Sequence, residues 1–187
     1  VPLFMTRSTP PAGYNLDAAG MPLQNGTATA PFTITIPRIA VEGAAPQPGR
    51  PVVYGHGLLG SGEGEVTAGN LQTLSSRFNF ILGATDWIGL SEQDFNTALR
   101  STLDLSTFHF IPDRLQQAFL NFILLGRLMT RPDGLVSHPA FQFNGLPIID
   151  MSGTSFSEIP PLRLDRDQFV AHQHYACTPE ILDWGRT

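Results

Sequence analysis

The sequence predicts an α/β fold, with a mostly parallel sheet flanked by helices and an irregular arm at the N-terminus. Two short runs rich in β-branched and aromatic side chains, residues 52–54 and 80–84, enclose a segment whose apolar residues follow helical spacing. Glycine and proline are plentiful and scattered, at 18 and 16 of 187 residues. That distribution fits a loop-rich α/β protein better than a helix bundle.

The first part of the chain alternates between irregular and extended patterns. Residues 1–30 contain many prolines and turn-forming residues, which predicts an irregular arm with an edge hairpin around residues 13–25. Residues 32–37 alternate apolar and polar side chains, which is typical of a half-buried strand in an antiparallel pair. The parallel core is expected to begin at residues 52–54.

Helical spacing predicts three helices after this strand. Residues 64–78 form the first, and together with the flanking strands it completes a β-α-β unit with a right-handed crossover. Residues 92–105 form the second. The third begins near Pro112 and ends near residues 131–134, since proline is tolerated in a first helical turn. Its apolar stripe is predicted to be Leu115, Phe119, Phe122, Ile123 and Met129. Residues 146–149 are expected to be a short strand or an extended lead into one.

Composition limits the classes of function. At 42% hydrophobic and 14% charged residues, the chain is that of one globular domain. Its net charge of −5 argues against nucleic acid as a partner, and no apolar run is long enough for a membrane span. The single cysteine, Cys177, excludes an internal disulfide and a cysteine-based zinc site. We expect a core over residues 1–150 and a divergent tail, cap or interface arm over residues 151–187.

The most informative motif follows the first parallel strand. Gly55-His56-Gly57-Leu58-Leu59-Gly60 interrupts the β-branched run, and a helical segment follows it. Glycines at a strand end let a ligand approach bare backbone N–H groups. Such groups stabilise an oxyanion during acyl transfer. The alternative interpretation is that the glycines only close a tight turn between strand and helix.

This motif resembles the HGxxG oxyanion loop of the α/β-hydrolase superfamily, in particular its bacterial lipase- and esterase-like members. Residues 83–91, which include Asp86 and Trp87, resemble the loop after the next strand of that family. The resemblance covers roughly residues 30–150. It implies that the Leu58 N–H is an oxyanion donor and that His56 and Gly57 shape the turn. It also implies a small-molecule or lipid-like ester substrate, no cofactor or metal, and export from the cytoplasm, as a secreted or periplasmic protein.

The implied catalytic triad departs from the family's pattern at two points. The family places its serine in G-x-S-x-G on a sharp strand-to-helix turn, and residues 153–157 match it except that serine replaces the last glycine. The implied nucleophile is Ser155, with Asp165 and His172 following in the family's order. Only 17 positions separate Ser155 from His172, which is short for this fold. If residues 146–150 form the preceding strand, the geometry is retained; otherwise Ser155 is an ordinary loop serine.

The remaining candidates have two interpretations each. Asp86 and Trp87 could line an acyl pocket at a strand end, or they could cap a loop and pack into the core. His172 and His174 alternate and would share one side of a strand, but without a third ligand nearby no metal site is assigned.

Three hypotheses of function follow. The first is a serine hydrolase of carboxylic esters. The second is a truncated or degenerate relative without activity, whose exposed sheet edge and apolar surface would serve binding, either as a homo-oligomer or with a partner chain. The third is an acyltransferase or another hydrolase that uses the same loop.

Overall fold

The computed structural model describes residues 1–152 and the backbone of residues 176–177. The chain forms a mixed α/β structure with helices on both faces of a small sheet. The strands are β1 Phe32–Thr35, β2 Arg50–Tyr54, β3 Phe80–Thr85, β4 Gln142–Phe143, β5 Leu146–Pro147 and β6 Ala176–Cys177. The α-helices are α1 Gly62–Val66, α2 Gly69–Phe78, α3 Phe95–Leu103 and α4 Phe110–Thr130. Short 3-10 turns lie at Arg38–Ala40, Glu92–Asp94, Leu105–Thr107, Leu135–Ser137 and Pro139–Phe141.

The main sheet is mixed, so the prediction of a mostly parallel sheet is wrong. Its described strands lie in the order β1-β3-β2-β6. Among these described strands β2 and β3 are the one parallel pair, while β1 pairs antiparallel with β3 and β6 pairs antiparallel with β2. The parallel pair is the predicted β-α-β unit, in which α1 and α2 carry the chain back across the sheet. The antiparallel orientation predicted for β1 is confirmed.

Alternation along the central strands divides the core between the two faces of the sheet. Val53 and Ile81 pack on one side with Phe122 and Met129 of α4. Val52, Tyr54, Leu82 and Ala84 face the other side, where Val66 of α1 and Leu71 of α2 cover them. Both central strands are therefore buried on both faces, which explains their near-continuous apolar sequences.

Two predicted helices differ in detail from the structure. The segment 64–78 forms two helices, because Ala68 is extended (ψ 145°) between them. Ser61 caps α1 by accepting a hydrogen bond from the Gly64 N–H. The second predicted helix begins as a 3-10 turn at Glu92–Asp94 and becomes regular only in α3.

The buried face of α4 was also predicted wrongly in part. Phe122 and Met129 are buried as expected, but Phe119 and Ile123 are exposed at 55% and 37%. Polar side chains take their place in the interior, namely Arg114, Gln117 and Asn121. Gln117 binds the backbone of the N-terminal arm, accepting from the Phe4 N–H and donating to the Pro2 carbonyl. The arm therefore satisfies polar groups that would otherwise be costly to bury.

The end of the predicted core brings the chain back to β2. Residues 142–147 form the β4–β5 hairpin, and Ile149 then makes a parallel bridge with Gly49. Two hydrogen bonds hold the bridge, from the Gly49 N–H to the Ile148 carbonyl and from the Asp150 N–H to the Gly49 carbonyl, both 2.8 Å. Ile148 and Ile149 are both buried. The expected short strand is thus Leu146–Pro147, followed by a bend at Ile148 and the single bridge of Ile149. β6 pairs with β2 further along, beside Val53 and Tyr54.

Candidate functional site

The candidate site lies where β2 and β3 end. Because parallel strands present their carboxyl ends at the same edge of a sheet, the segments after β2 and β3 meet there. We call residues 55–60 the glycine loop and residues 86–91 the Asp86 loop. A parallel bridge between Gly60 and Ser91 joins the two loops.

His56 connects the two loops through Nε2 and contacts its own loop through Nδ1. Its Nε2 accepts a hydrogen bond of 2.8 Å from the Trp87 N–H, and its Nδ1 lies 2.7 Å from the Gly57 carbonyl oxygen. Because Nε2 accepts, the ring proton lies on Nδ1 and is donated to that carbonyl. The ring is also buried, with 9% exposed. His56 therefore shapes the turn and has no free nitrogen for proton transfer.

Glu65 of α1 anchors the glycine loop from the other side. One of its carboxylate oxygens accepts a hydrogen bond of 2.6 Å from the Gly57 N–H, and the other accepts one of 2.7 Å from the Tyr54 hydroxyl. The Gly57 amide is therefore engaged within the protein and serves structure. Burial, followed by the hydrogen bond to Glu65 and its charge, raises the pKa of Tyr54 well above its usual range.

The Leu58 amide differs from those of Gly57 and Leu59 in having no acceptor among the described residues. Its N–H meets no acceptor within residues 1–152, and its side chain is 75% exposed. The next two amides are engaged, because Leu59 donates to the Leu90 carbonyl and Gly60 donates to the Gly57 carbonyl. Leu59 adopts a left-handed conformation, with φ of 57°. Among the described residues the Leu58 N–H is thus an open donor, and the amides on either side of it, Gly57 and Leu59, are engaged.

A buried ion pair between Asp94 and Arg114 holds the Asp86 loop through hydrogen bonds to Gly89 and Ser91. Asp94 and Arg114 are fully buried, and the Arg114 Nε donates to Asp94 Oδ1 over 2.6 Å. The other Asp94 oxygen accepts from the Gly89 N–H at 2.6 Å and from the Ser91 hydroxyl at 2.7 Å. Arg114 also donates to the carbonyl of Ser8 in the arm. One carboxylate therefore ties the Asp86 loop to α4 and, through Arg114, to the arm.

Trp87 packs between the loops and the core. Its ring meets Phe119 edge-on with centroids 4.7 Å apart, and it meets Phe122 at 5.0 Å. Its Nε1 is buried without a hydrogen-bond partner among the described residues. A Cβ atom added to Gly55 would lie only 2.8 Å from that nitrogen, so the indole needs glycine at this position. The contacts demonstrate the packing role proposed for Trp87, and a role in substrate binding stays a prediction.

Asp86 lies at the first turn of α1. Its Oδ1 accepts a hydrogen bond of 2.9 Å from the Gly62 N–H, which is the favourable position for a carboxylate beside a helix dipole. Asp86 also borders a cavity of about 170 Å³ that Gln93 and Asn121 help to line. The capping interpretation of Asp86 is therefore demonstrated by a contact, and substrate binding by this residue stays a prediction.

The proposed triad cannot be compared with these contacts. Ser155, Asp165 and His172 lie outside the described residues, as does the His172–His174 pair. Of the predicted site residues, the structure brings together His56, Gly57 and Leu58 with Asp86 and Trp87. Within residues 1–152, no group of three or more His, Cys, Asp or Glu side chains is arranged to hold a metal ion. None of the described helices combines the length and apolar character of a membrane span.

Sequence reasoning missed three residues that hold the site together, namely Glu65, Asp94 and Arg114. A signal for Asp94 was present, since Ser91 and Asp94 have the S-x-x-D spacing of a helix start. No comparable signal marks Glu65 or Arg114. Their partners are set by the tertiary fold, since Glu65 binds Tyr54 and Gly57 while Arg114 binds Asp94 and the Ser8 carbonyl. Charged residues in helices are most often solvated, so their sequence positions give no hint of these contacts.

Comparisons with known proteins do not extend the resemblance. A scan against models of protein families finds no match, and neither do searches of curated proteins and of solved structures.

The Tyr54–Glu65 contact predicts a pH dependence. A raised pKa means that the folded state keeps Tyr54 protonated while the unfolded state ionises above about pH 10. The stabilisation is therefore complete below that pH and is lost as the pH rises further. Free energies of unfolding measured from pH 8 to pH 11 should fall more steeply for the wild type than for Tyr54→Phe. Equal slopes would contradict this assignment.

Proposed function

We propose that the chain is a hydrolase of carboxylic esters that works through a serine acyl-enzyme. The observation that carries the proposal is the open Leu58 N–H at the carboxyl end of β2, on a loop whose neighbouring amides are engaged. A fixed donor aimed at developing negative charge accelerates acyl transfer, because no reorganisation is needed when the charge appears. The HGxxG resemblance assigns this role to the same amide.

The course of the chain toward Ser155 supports the proposal. Ile148 and Ile149 are buried, and Ile149 makes a parallel bridge with Gly49, the residue before β2. A chain in this orientation heads toward the sheet edge that carries the glycine loop. The family's nucleophile follows such a strand at a sharp turn. Because β6 occupies the edge of β2 beside Val53 and Tyr54, the parallel pairing is limited to the start of β2.

In the proposed mechanism, the Ser155 hydroxyl attacks the ester carbonyl while His172 accepts its proton, and Asp165 orients the imidazole. The tetrahedral oxyanion accepts hydrogen bonds from the N–H groups of Leu58 and Phe156. Collapse of this intermediate breaks the bond to the alkoxide, which takes the proton from His172 and leaves as the alcohol. Water then attacks the acyl-enzyme while His172 accepts its proton. The second tetrahedral intermediate collapses, the acid is released, and His172 returns the proton to Ser155.

The substrate class follows from the surroundings of Leu58. The side chain beside the donor is apolar and exposed, and Trp87, after the next strand, packs against Phe119 of α4. We propose a small-molecule or lipid-like ester with an apolar acyl part. The mechanism uses no cofactor. The family resemblance further suggests a secreted or periplasmic protein.

Ester turnover tests the function directly. The purified chain, incubated with p-nitrophenyl acetate and p-nitrophenyl octanoate, should release nitrophenolate above the rate of a heat-unfolded sample. Adding methanol should divert part of the acyl product to the methyl ester if an acyl-enzyme forms, and a dominant diversion would favour an acyltransferase. Folded protein without turnover of either ester would contradict the proposal.

The apolar surface of α3 favours the non-catalytic alternative. Phe95, Leu99 and Leu103 lie four residues apart on one side of the helix and are exposed at 53%, 51% and 83%. Side chains of this size on one helix face mark an interaction surface more often than chance exposure does. If the chain serves assembly, sedimentation should show an oligomer that Leu99→Glu dissociates, and ester turnover should be absent.

A further inference from the structure

The glycine loop depends on the Asp86 loop for its position. Three hydrogen bonds join them: the Leu59 N–H donates to the Leu90 carbonyl at 2.7 Å, the Trp87 N–H donates to His56 Nε2 at 2.8 Å, and the N–H of Glu92, just after the Asp86 loop, donates to the Gly60 carbonyl at 2.9 Å. The amide of Leu58 immediately precedes the first of these bonds. Any displacement of the segment around Leu90 therefore moves the Leu58 donor.

Asp94 is the group that fixes that segment. Its carboxylate accepts from the Gly89 N–H and the Ser91 hydroxyl, which lie on either side of Leu90. Arg114 in turn fixes the carboxylate, because its Nε donates to the remaining oxygen over 2.6 Å. Hydrogen bonds thus connect Arg114 of α4 to Asp94 and Asp94 to the residues on either side of Leu90. The Leu90 carbonyl in turn accepts the bond from the glycine loop.

The need for stability alone does not account for this pair. Two buried charges are expensive to desolvate, and replacing such a pair by apolar residues is often neutral or stabilising. One further nitrogen of Arg114, Nη2, is buried and has no hydrogen-bond partner among the described residues. The hydrogen-bonding capacity of the buried Arg114 guanidinium is therefore only partly used among the described residues. The structural effect of the ion pair is to hold the Asp94 carboxylate in one orientation.

We propose that Asp94 and Arg114 are positioning residues that set the location of the Leu58 N–H donor. The inference rests on the proposed function for its catalytic consequence, but the coupling itself is a property of the fold. Oxyanion stabilisation requires donors within a few tenths of an ångström of their best place, so a displaced Leu58 would lower kcat. KM would change little, because neither residue belongs to the proposed substrate-binding surface.

The test compares Arg114→Met, Arg114→Lys and Asp94→Asn with Arg131→Met. Arg131 forms an exposed ion pair with Asp133, so its variant removes the same charge without touching the site. Two quantities are measured on each folded variant: the hydrogen-exchange rates of the Leu59 and Gly60 amides, and kcat and KM for p-nitrophenyl ester hydrolysis. Circular dichroism establishes which variants are folded.

We expect Arg114→Met to exchange both amides about tenfold faster and to lose about tenfold or more in kcat, with KM within about twofold. Arg114→Lys should recover part of both losses, since an ammonium group can still reach Asp94. Arg131→Met should match the wild type. If Arg114→Met does not fold, Arg114→Lys and Asp94→Asn decide by the same two measurements.

The two proposals fail in different ways. A wild type without ester turnover contradicts the proposed function, and the exchange rates of Leu59 and Gly60 then decide the coupling by themselves. Wild-type exchange rates in the folded Arg114 and Asp94 variants overturn the positioning role. An active wild type whose variants show faster exchange but unchanged kcat also overturns it, because the coupling would then have no effect on the donor.

Discussion

Replacement of Ser155 by alanine is expected to lower ester turnover by about 10³-fold or more, leaving the protein folded. Removal of a nucleophile deletes the acyl-enzyme route, and only the weak catalysis of the oxyanion donors and of binding survives. Ser157→Ala is the matched control, because the two serines lie in the same short segment and only Ser155 matches the central position of the G-x-S-x-G pattern. It should retain turnover within a few-fold of the wild type.

The outcome of this pair of variants separates the hypotheses. Turnover that persists in Ser155→Ala would show that another residue is the nucleophile. Equal losses in both variants would indicate that the segment matters through folding. The free energies of unfolding, measured beside the rates, would identify that case.

Gly89→Ala is expected to have the largest effect on stability, about 3 kcal/mol of destabilisation or more. Gly89 has φ of +102°, which an L-residue adopts only with strain. A Cβ atom at this position would lie 2.7 Å from the Ile111 carbonyl oxygen and 2.9 Å from the Leu115 N, and both belong to the backbone of α4. Strain and overpacking therefore add, and neither can be relieved by moving a side chain.

Gly43→Ala is the control that separates the cost of backbone strain from the cost of the steric clash with α4. Its φ is +93°, close to that of Gly89, but nothing lies within 4 Å of the added Cβ. Its cost should be only about 1 kcal/mol. Urea denaturation of both variants gives the comparison through the shift of the midpoint at constant slope. Similar costs for the two variants would show that Gly89 does not approach α4 as closely as described.

Strands and helices were predicted accurately from the sequence where burial determines the order of apolar and polar residues. The strands around residues 52–54 and 80–84 are buried on both faces, so their sequences are almost continuously apolar and their boundaries are sharp. The long helix α4 was also foreseen, since its predicted apolar stripe from Leu115 to Met129 repeats over about four turns. Its N-terminal proline, Pro112, lies in the first turn as expected.

Long-range contacts explain where the predictions were wrong. Phe119 looked like a core residue, yet Gln117 and Arg114 are buried instead because the N-terminal arm offers them backbone partners more than 100 positions away. Helical periodicity contains no information about such partners. The prediction of a mostly parallel sheet was wrong for a related reason. The antiparallel pairing of β6 with β2 involves two residues whose sequence has no strand pattern.

The sequence predicted the backbone turn of the candidate site, but not the side chains of Glu65, Asp94 and Arg114 that hold it in place. Glycines after a buried strand indicate a close approach, so the turn at Gly55–Gly60 could be recognised from sequence. That the Gly57 amide is taken by Glu65 while the Leu58 amide stays open depends on where α1 lies. No sequence pattern distinguishes these two adjacent amides.

Labelling with a fluorophosphonate tests the account most directly, with the Leu58 amide followed by NMR. An activated serine beside an oxyanion donor should form one covalent adduct on Ser155, identified by peptide mass spectrometry. The Leu58 amide proton should then move downfield as it binds the phosphonyl oxygen, while the Gly57 proton, held by Glu65, stays in place. A folded protein that takes no label, or an adduct that leaves the Leu58 signal unmoved, would contradict the proposal.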